Sequence, residues 1–170
     1  VAVLAAKALD SKKGVDIRLL GITDISPLIA HGGYTYYKTR FGVEHPLVAK
    51  YGDALKLSVA ACHKHGMKCH PRRSCWSLGF HASAETLAEF RKNERLQVGF
   101  DGKDGAWLCP THEANLRREV EGMLELAEAG ADGIMIDFFR YPNADFCFCP
   151  RCRACFEKRI GRTVEPWPQT

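Results

Sequence analysis

Ala131-Asp132-Gly133-Ile134-Met135-Ile136-Asp137 is the stretch that decides the fold. Its apolar core, Ile134-Met135-Ile136, shows no polar–apolar alternation. A strand of that kind is buried on both faces, as in a parallel sheet covered by helices. The segment before it is the clearest helix of the chain. Thr111 reads as its N-cap, and Leu116, Val120, Met123, Leu124 and Ala127 recur at i, i+4, i+7, i+8 and i+11 as an inward stripe. Gly130 stops it. After Asp137 a loop leads to a further helix over residues 151–160, closed by Gly161.

Working outward, the same alternation continues upstream. Residues 2–12 read as a helix and Val15–Gly21 as a strand. Asp53 is a good N-cap for a helix carrying Leu55, Val59 and Cys62 on one face, ended by Gly66. Met67 to Pro71 reads as a short strand, and Ser83 caps a helix that turns Leu87 and Phe90 inward. Alternating strands and helices mean a parallel α/β architecture. Three strands stand out, whereas a complete (β/α)8 barrel takes about 250 residues. The expectation for residues 1–170 is therefore a partial (β/α)8 TIM barrel, about half the barrel, with a cysteine-rich loop at 143–156.

Composition sets the outer limits. The 170 residues are 46% hydrophobic and 26% charged, with formal net charge +4. That balance is ordinary for a globular domain. The charge is too mild to argue for nucleic acid, for which a clustered basic face is expected, and no apolar run approaches the ~18 residues of a membrane span. The chain begins at Val1 without an initiator Met, so a truncated N-terminus is expected. The compartment stays open between cytoplasm and secretion, and oligomeric state is not readable.

Asp137 is the leading catalytic candidate. In parallel barrels the C-terminal strand ends form the active-site face, and a carboxylate there can be tuned for acid, base or nucleophile work. The alternative is that it caps the next turn or pairs with Arg140. Arg140 and Tyr141 follow on the same loop and could hold a substrate hydroxyl. His70 and Arg72, at the end of the expected Met67–Pro71 strand, fall on the same face. Trp76 could stack on a sugar ring or simply pack its loop. Asp24, the tyrosines Tyr34, Tyr36 and Tyr37, and the histidines His63, His65 and His112 have structural readings at least as good.

Eight cysteines is a high count for this length. Four crowd into Cys147-Phe148-Cys149-Pro150-Arg151-Cys152-Arg153-Ala154-Cys155, where disulfides would close tiny loops and stabilise little. The C-x-C-x2-C-x2-C spacing suits a tetrahedral zinc ion bound by about four thiolates. Cys147, Cys149 and Cys152 supply three ligands naturally. The fourth is either Cys155, one helical turn on, or Cys109 from the preceding loop. Four thiolates leave no open position, so such a metal is structural. An iron–sulfur cluster fits less well, because nothing else in the chain suggests redox chemistry.

Trp107-Leu108-Cys109-Pro110, the helix after it, the strand to Asp137 and Cys147-x-Cys149-x2-Cys152 with Phe156 together resemble barrel glycoside hydrolases, over roughly residues 107–161. Asp132 to Pro142 is similar to a segment of bacterial glycosyl-hydrolase-like barrels. The cysteine spacing resembles that of the family 42 β-galactosidases, in which one earlier cysteine joins a C-x-C-x2-C helix start to bind a structural zinc. Carried over residue by residue, that implies Cys109, Cys147, Cys149 and Cys152 as ligands. The family 42 enzymes end their fourth strand in Asn-Glu, whereas this chain has Ile136-Asp137, so the first group is the nearer match. The resemblance implies a carbohydrate substrate and two carboxylates flanking a glycosidic bond. Asp137 would be one, and the other would come from a later strand, beyond Thr170. By that reading this stretch alone is inactive. The competing expectations are a barrel that binds sugar without turnover, and a zinc-ribbon interaction module.

Overall fold

A computed structural model describes residues 17–79 and 82–167. The helix expected at 2–12 lies outside them, as does the start of the strand expected at 15–21. The rest of that strand is instead a single 3-10 turn, Ile17–Leu20. Gly21, at φ +74°, closes it by donating to the Arg18 carbonyl at 2.9 Å. The first strand among the described residues comes later and in two pieces, β1 (Asp24–Ile25) and β2 (Leu28–His31). Pro27 separates them, since it has no N–H to give the ladder.

The chain then turns back through β3 (Tyr34–Thr35) and β4 (Val43–Glu44) before two helices, α1 (Leu47–Tyr51) and α2 (Ala54–Lys64). Asp53 caps α2 as its sequence predicts, its carboxylate accepting from Lys56 N at 3.0 Å. The strand expected at 67–71 runs further. It forms β5 (Lys68–Cys69) and β6 (Arg72–Ser74), broken at Pro71. Ser83 caps α3 (Ala84–Lys92). A hairpin of β7 (Leu96–Val98) and β8 (Asp104–Leu108) leads to α4 (Glu113–Glu128), then β9 (Met135–Asp137) and α5 (Pro150–Ile160).

The architecture is mixed α/β. One sheet has the order β4-β3-β2-β6-β9, in which β2, β6 and β9 run parallel, and β1 and β5 pair in parallel just before them. No closed barrel forms among the described residues. β9 is the sheet's outer strand, and this overturns the expectation that it is buried on both faces. Met135 is 48% and Ile136 47% exposed, because β9 has β6 on one side and, among the described residues, no strand on the other.

Helix α4 is also turned differently from its apolar stripe. Leu116, Val120 and Leu124 are about half exposed, while Asn115, Glu119, Gly122, Glu125 and Leu126 face inward. The cause is Arg73. On β6 its side chain points away from the face of Arg72 and Ser74 and into the interior under α4. Its Nε donates to Glu119 Oε2 at 2.7 Å, with both side chains almost wholly buried. A Cβ at Gly122 would come within 2.5 Å of the Arg73 guanidinium carbon, so only glycine fits there. Glu125 adds to the polar interior, accepting from the Tyr37 hydroxyl at 3.0 Å, the Thr39 hydroxyl at 2.7 Å and Arg40 N at 2.6 Å. The N-cap differs too: His112 Nδ1, not Thr111, accepts from Ala114 N, because Thr111 is engaged beside Cys109.

Removing one partner of a buried ion pair leaves an uncompensated charge in low dielectric. Glu119→Ala is expected to destabilise the chain by about 3–5 kcal/mol in urea unfolding. Val120→Ala, on the half-exposed stripe of the same helix, is the natural control and should cost far less. Equal losses from the two changes would refute the inward assignment of Glu119.

Candidate functional site

The parallel strands β2, β6 and β9 end in His31, Ser74 and Asp137. Of these three, only β9 ends in a carboxylate. Register places Asp137 opposite Ser74, and Ser74 Oγ lies 3.1 Å from His31 Nδ1. Arg72 reaches Asp137 with Nη1 3.6 Å from Oδ2, and its Nε is buried without a hydrogen-bond partner. The other Asp137 oxygen accepts from Phe138 N at 2.9 Å. Phe138 has φ +54°, a left-handed conformation costly for a bulky residue. Such strain persists only where surrounding contacts hold it. Here the Phe138 ring meets Trp107 edge-on at 5.7 Å, and the Arg140 guanidinium lies over both rings.

The remaining sequence candidates take separate places. His70 lies between β5 and β6, below the strand end, because the strand runs on to Ser74. Its Nε2 is 2.7 Å from Asp24 Oδ1, a pairing that holds the Asp24 carboxyl below its usual range after the Thr23 hydroxyl. Trp76 is 2% exposed and packs against Phe139, so its ring is occupied by protein. Arg140 spends Nη1 on the Tyr141 and Pro142 carbonyls at 2.9 Å each, shaping the loop. Tyr141 faces the cysteines: burial raises its pKa, and the Cys152 sulfur beside it, a hydrogen-bond partner, adds to the rise. Asp132 accepts from Cys69 N and lies against His63 Nε2, both at 2.8 Å, and ties α2 to the entry of β9. Sequence reasoning missed His31. Its only signal in the sequence is a position directly after the apolar run Leu28-Ile29-Ala30.

The second cluster is sulfur. Sγ atoms of Cys109, Cys147, Cys149 and Cys152 all lie within 4.8 Å of one another. Cys109 is 3.6 Å from both Cys149 and Cys152. Four sulfurs on a tetrahedral ion with metal–sulfur bonds of about 2.3 Å sit roughly 3.8 Å apart. The donor set therefore fits a metal ion. Cys155 is exposed and stands outside the group, so Cys109 is the cysteine that joins the other three.

Local sequence explains the gathering. Cys109 follows β8 directly, and its N–H donates to the Arg95 carbonyl at 2.8 Å. Cys149 is the N-cap of α5, its Sγ accepting from Cys152 N at 3.4 Å, with Pro150 preorganised in the first turn. Val98 N donates to Cys147 Sγ at 3.3 Å. Phe146 lies on the hairpin, where a Cβ at Gly105 would come within 2.7 Å of its ring. Sulfurs this close share protons. The Cys149 thiol is drawn well below its usual range by contact with Cys109, and the Cys147 contact chiefly lowers Cys109 to about 7. Cys147 and Cys152 are pushed up, in each case mainly by contact with Cys109. A divalent cation at the centre would favour four thiolates at once.

No protein-family model matches the chain, and no curated protein matches it. Among solved structures, α-L-fucosidase isoenzyme 2 from Paenibacillus thiaminolyticus aligns with 92% of the chain at TM-score 0.64 and 18% identity. The chain spans 23% of that enzyme's length. At that identity the likeness is one of fold alone. No helix among the described residues is long and apolar enough to cross a membrane.

Metal analysis of the purified chain should return about one metal ion per chain, the capacity of a four-sulfur site. Cys109→Ser and Cys149→Ser should each abolish it, and Cys155→Ser should leave it intact. A metal-free chain with four fast-reacting thiols would exclude the site.

Proposed function

We propose that this chain is part of a (β/α)8-type barrel of a glycoside hydrolase, acting on O-glycosidic bonds of oligo- or polysaccharides, with Asp137 as one of two catalytic carboxylates. The observation that carries the reading is the position of Asp137 at the end of β9, beside Arg72 and held by Phe138 N. The fold likeness to a fucosidase supports the class, not the sugar. Glycoside hydrolysis needs a second carboxylate across the scissile bond. In this reading Asp137 is one of the two, and its partner is a carboxylate at the end of another strand of the barrel. Arg72 would orient Asp137, and Arg140 would set the loop that follows it.

We assign zinc to the sulfur tetrad, in a structural role. Four thiolates complete a tetrahedron and leave no position for water or substrate. The metal would brace the loop between β9 and α5 against the β7–β8 hairpin. An elemental profile dominated by iron in the metal analysis would replace zinc in this assignment.

The function is tested on the protein together with whatever flanking chain is encoded with it, using aryl glycosides of several sugars. Asp137→Asn should lower kcat by about 10²–10⁴-fold, the range for loss of a positioned acid or base. Hydrolysis undiminished in that variant would sink the assignment of Asp137. Saturable oligosaccharide binding with no turnover of any substrate would support a barrel that binds sugar without cleaving it.

A further inference from the structure

A cavity of about 600 Å³ opens between the first turns of α4, helix α3 and the 40–43 loop, and it shares no lining residue with the Asp137 site or the cysteine cluster. Its lining includes Arg95, Arg117, Arg118, Arg151, His112 and Phe90. Two guanidiniums converge over the buried Phe90 ring, Arg95 at 4.7 Å and Arg118 at 5.8 Å from its centroid. Arg95 is held by neutral acceptors, Asn115 Oδ1 at 2.7 Å and the Ala114 carbonyl at 3.3 Å. Arg118 donates to the Gly33 carbonyl at 3.0 Å and to Glu119 at 3.1 Å. Glu119, however, is already paired with Arg73 at 2.7 Å.

The floor of the cavity is thus short of negative charge. Five arginines line the cavity (Arg40, Arg95, Arg117, Arg118 and Arg151) against three glutamates (Glu89, Glu113 and Glu121), an excess of two positive charges, and Glu119 beneath it is shared between Arg73 and Arg118. Arg118 is 11% exposed, so water compensates it poorly. Burial pulls both Arg95 and Arg118 below their usual range. His112 is lowered by burial first and then by the charges of Arg151 and Arg95, which reports a positive field at the mouth. Of the three glutamates, Glu89 and Glu113 are solvent-exposed, where charge acts weakly. Glu121 is half-buried, as Arg95 is, while the Arg118 guanidinium is the one held at 11% exposure.

We propose that this cavity binds a tetrahedral oxyanion, the phosphate or sulfate group of a small polar molecule. A dianion would balance the two uncompensated charges. Guanidinium forks match such oxygens in geometry as well as charge, and the N-terminal end of α4 adds a favourable dipole. The proposal stands independently of the glycosidase reading.

The test is calorimetric titration of the purified chain at low ionic strength with inorganic phosphate and with inorganic sulfate, against chloride at matched ionic strength. Saturable binding of phosphate or sulfate, absent with chloride, is expected. Arg95→Gln and Arg117→Gln should each weaken it about tenfold, as fits loss of one charge-assisted hydrogen bond. Arg117 is exposed, so its variant keeps the test valid if Arg95→Gln fails to fold. Competition by glycerol phosphate against methyl sulfate then tells which ester the cavity prefers. No saturable binding, or binding undiminished in every folded variant, would overturn the proposal.

Discussion

The buried contact of Arg73 with Glu119 governs much of this structure. Placing a guanidinium inside a protein is costly unless a carboxylate meets it with good geometry. Arg73 points from β6 toward α4, so α4 must present Glu119 and not its apolar stripe. Gly122 follows from the same demand, since the guanidinium occupies the space of a side chain. Tyr37 and Arg40 then join the network from the β3–β4 region through Glu125 of α4, and Arg118 draws Gly33 into it. One strand residue thereby ties the sheet, a crossover helix and the loops above it into one polar interior. Arg72 and Ser74, its neighbours on β6, are left facing the side where Asp137 lies.

The cysteine tetrad plays a comparable role for the excursion between β6 and α4. An isolated hairpin such as β7–β8 is marginal by itself. Here Cys109 at its exit, Phe146 on its surface and Val98 at its edge join it to the loop after β9. Trp167 completes the arrangement from the tail, donating to the Phe148 carbonyl at 3.1 Å and packing against Phe156. Tyr141 links the sulfurs to the strand end, so the segment bearing Asp137 and the segment bearing the cysteines are mechanically one unit.

Much of this was legible in the sequence where the signal is local. Asp53 and Ser83 cap their helices because a side-chain oxygen needs only the next turn to bond. Gly161 ends α5 in the left-handed conformation that glycine permits. The C-x-C-x2-C spacing announced three sulfurs converging on one point. What failed was inference about burial from periodicity. The stripe Leu116, Val120 and Leu124 has faultless helical spacing, yet those side chains are half exposed. Periodicity says that a helix has a face, and its partners decide which face is covered. The Ile134–Ile136 run likewise marked a strand correctly and its surroundings wrongly, because β9 has a described neighbour on one side only.

By itself, the sequence determined the α/β alternation, the strand that carries Asp137 and the sulfur chemistry of its following loop. These rest on interactions within a few residues, or on residue types with one dominant use. Tertiary structure gathers Cys109 rather than Cys155 with the other three sulfurs, as the resemblance implied and spacing alone left open; it alone decided that His31 and not His70 stands at a strand end, and that Tyr141 turns toward sulfur. It also brought Arg95 and Arg118 together over Phe90. Each of those depends on contacts between segments far apart in the chain, where spacing along the sequence carries no information about distance in space.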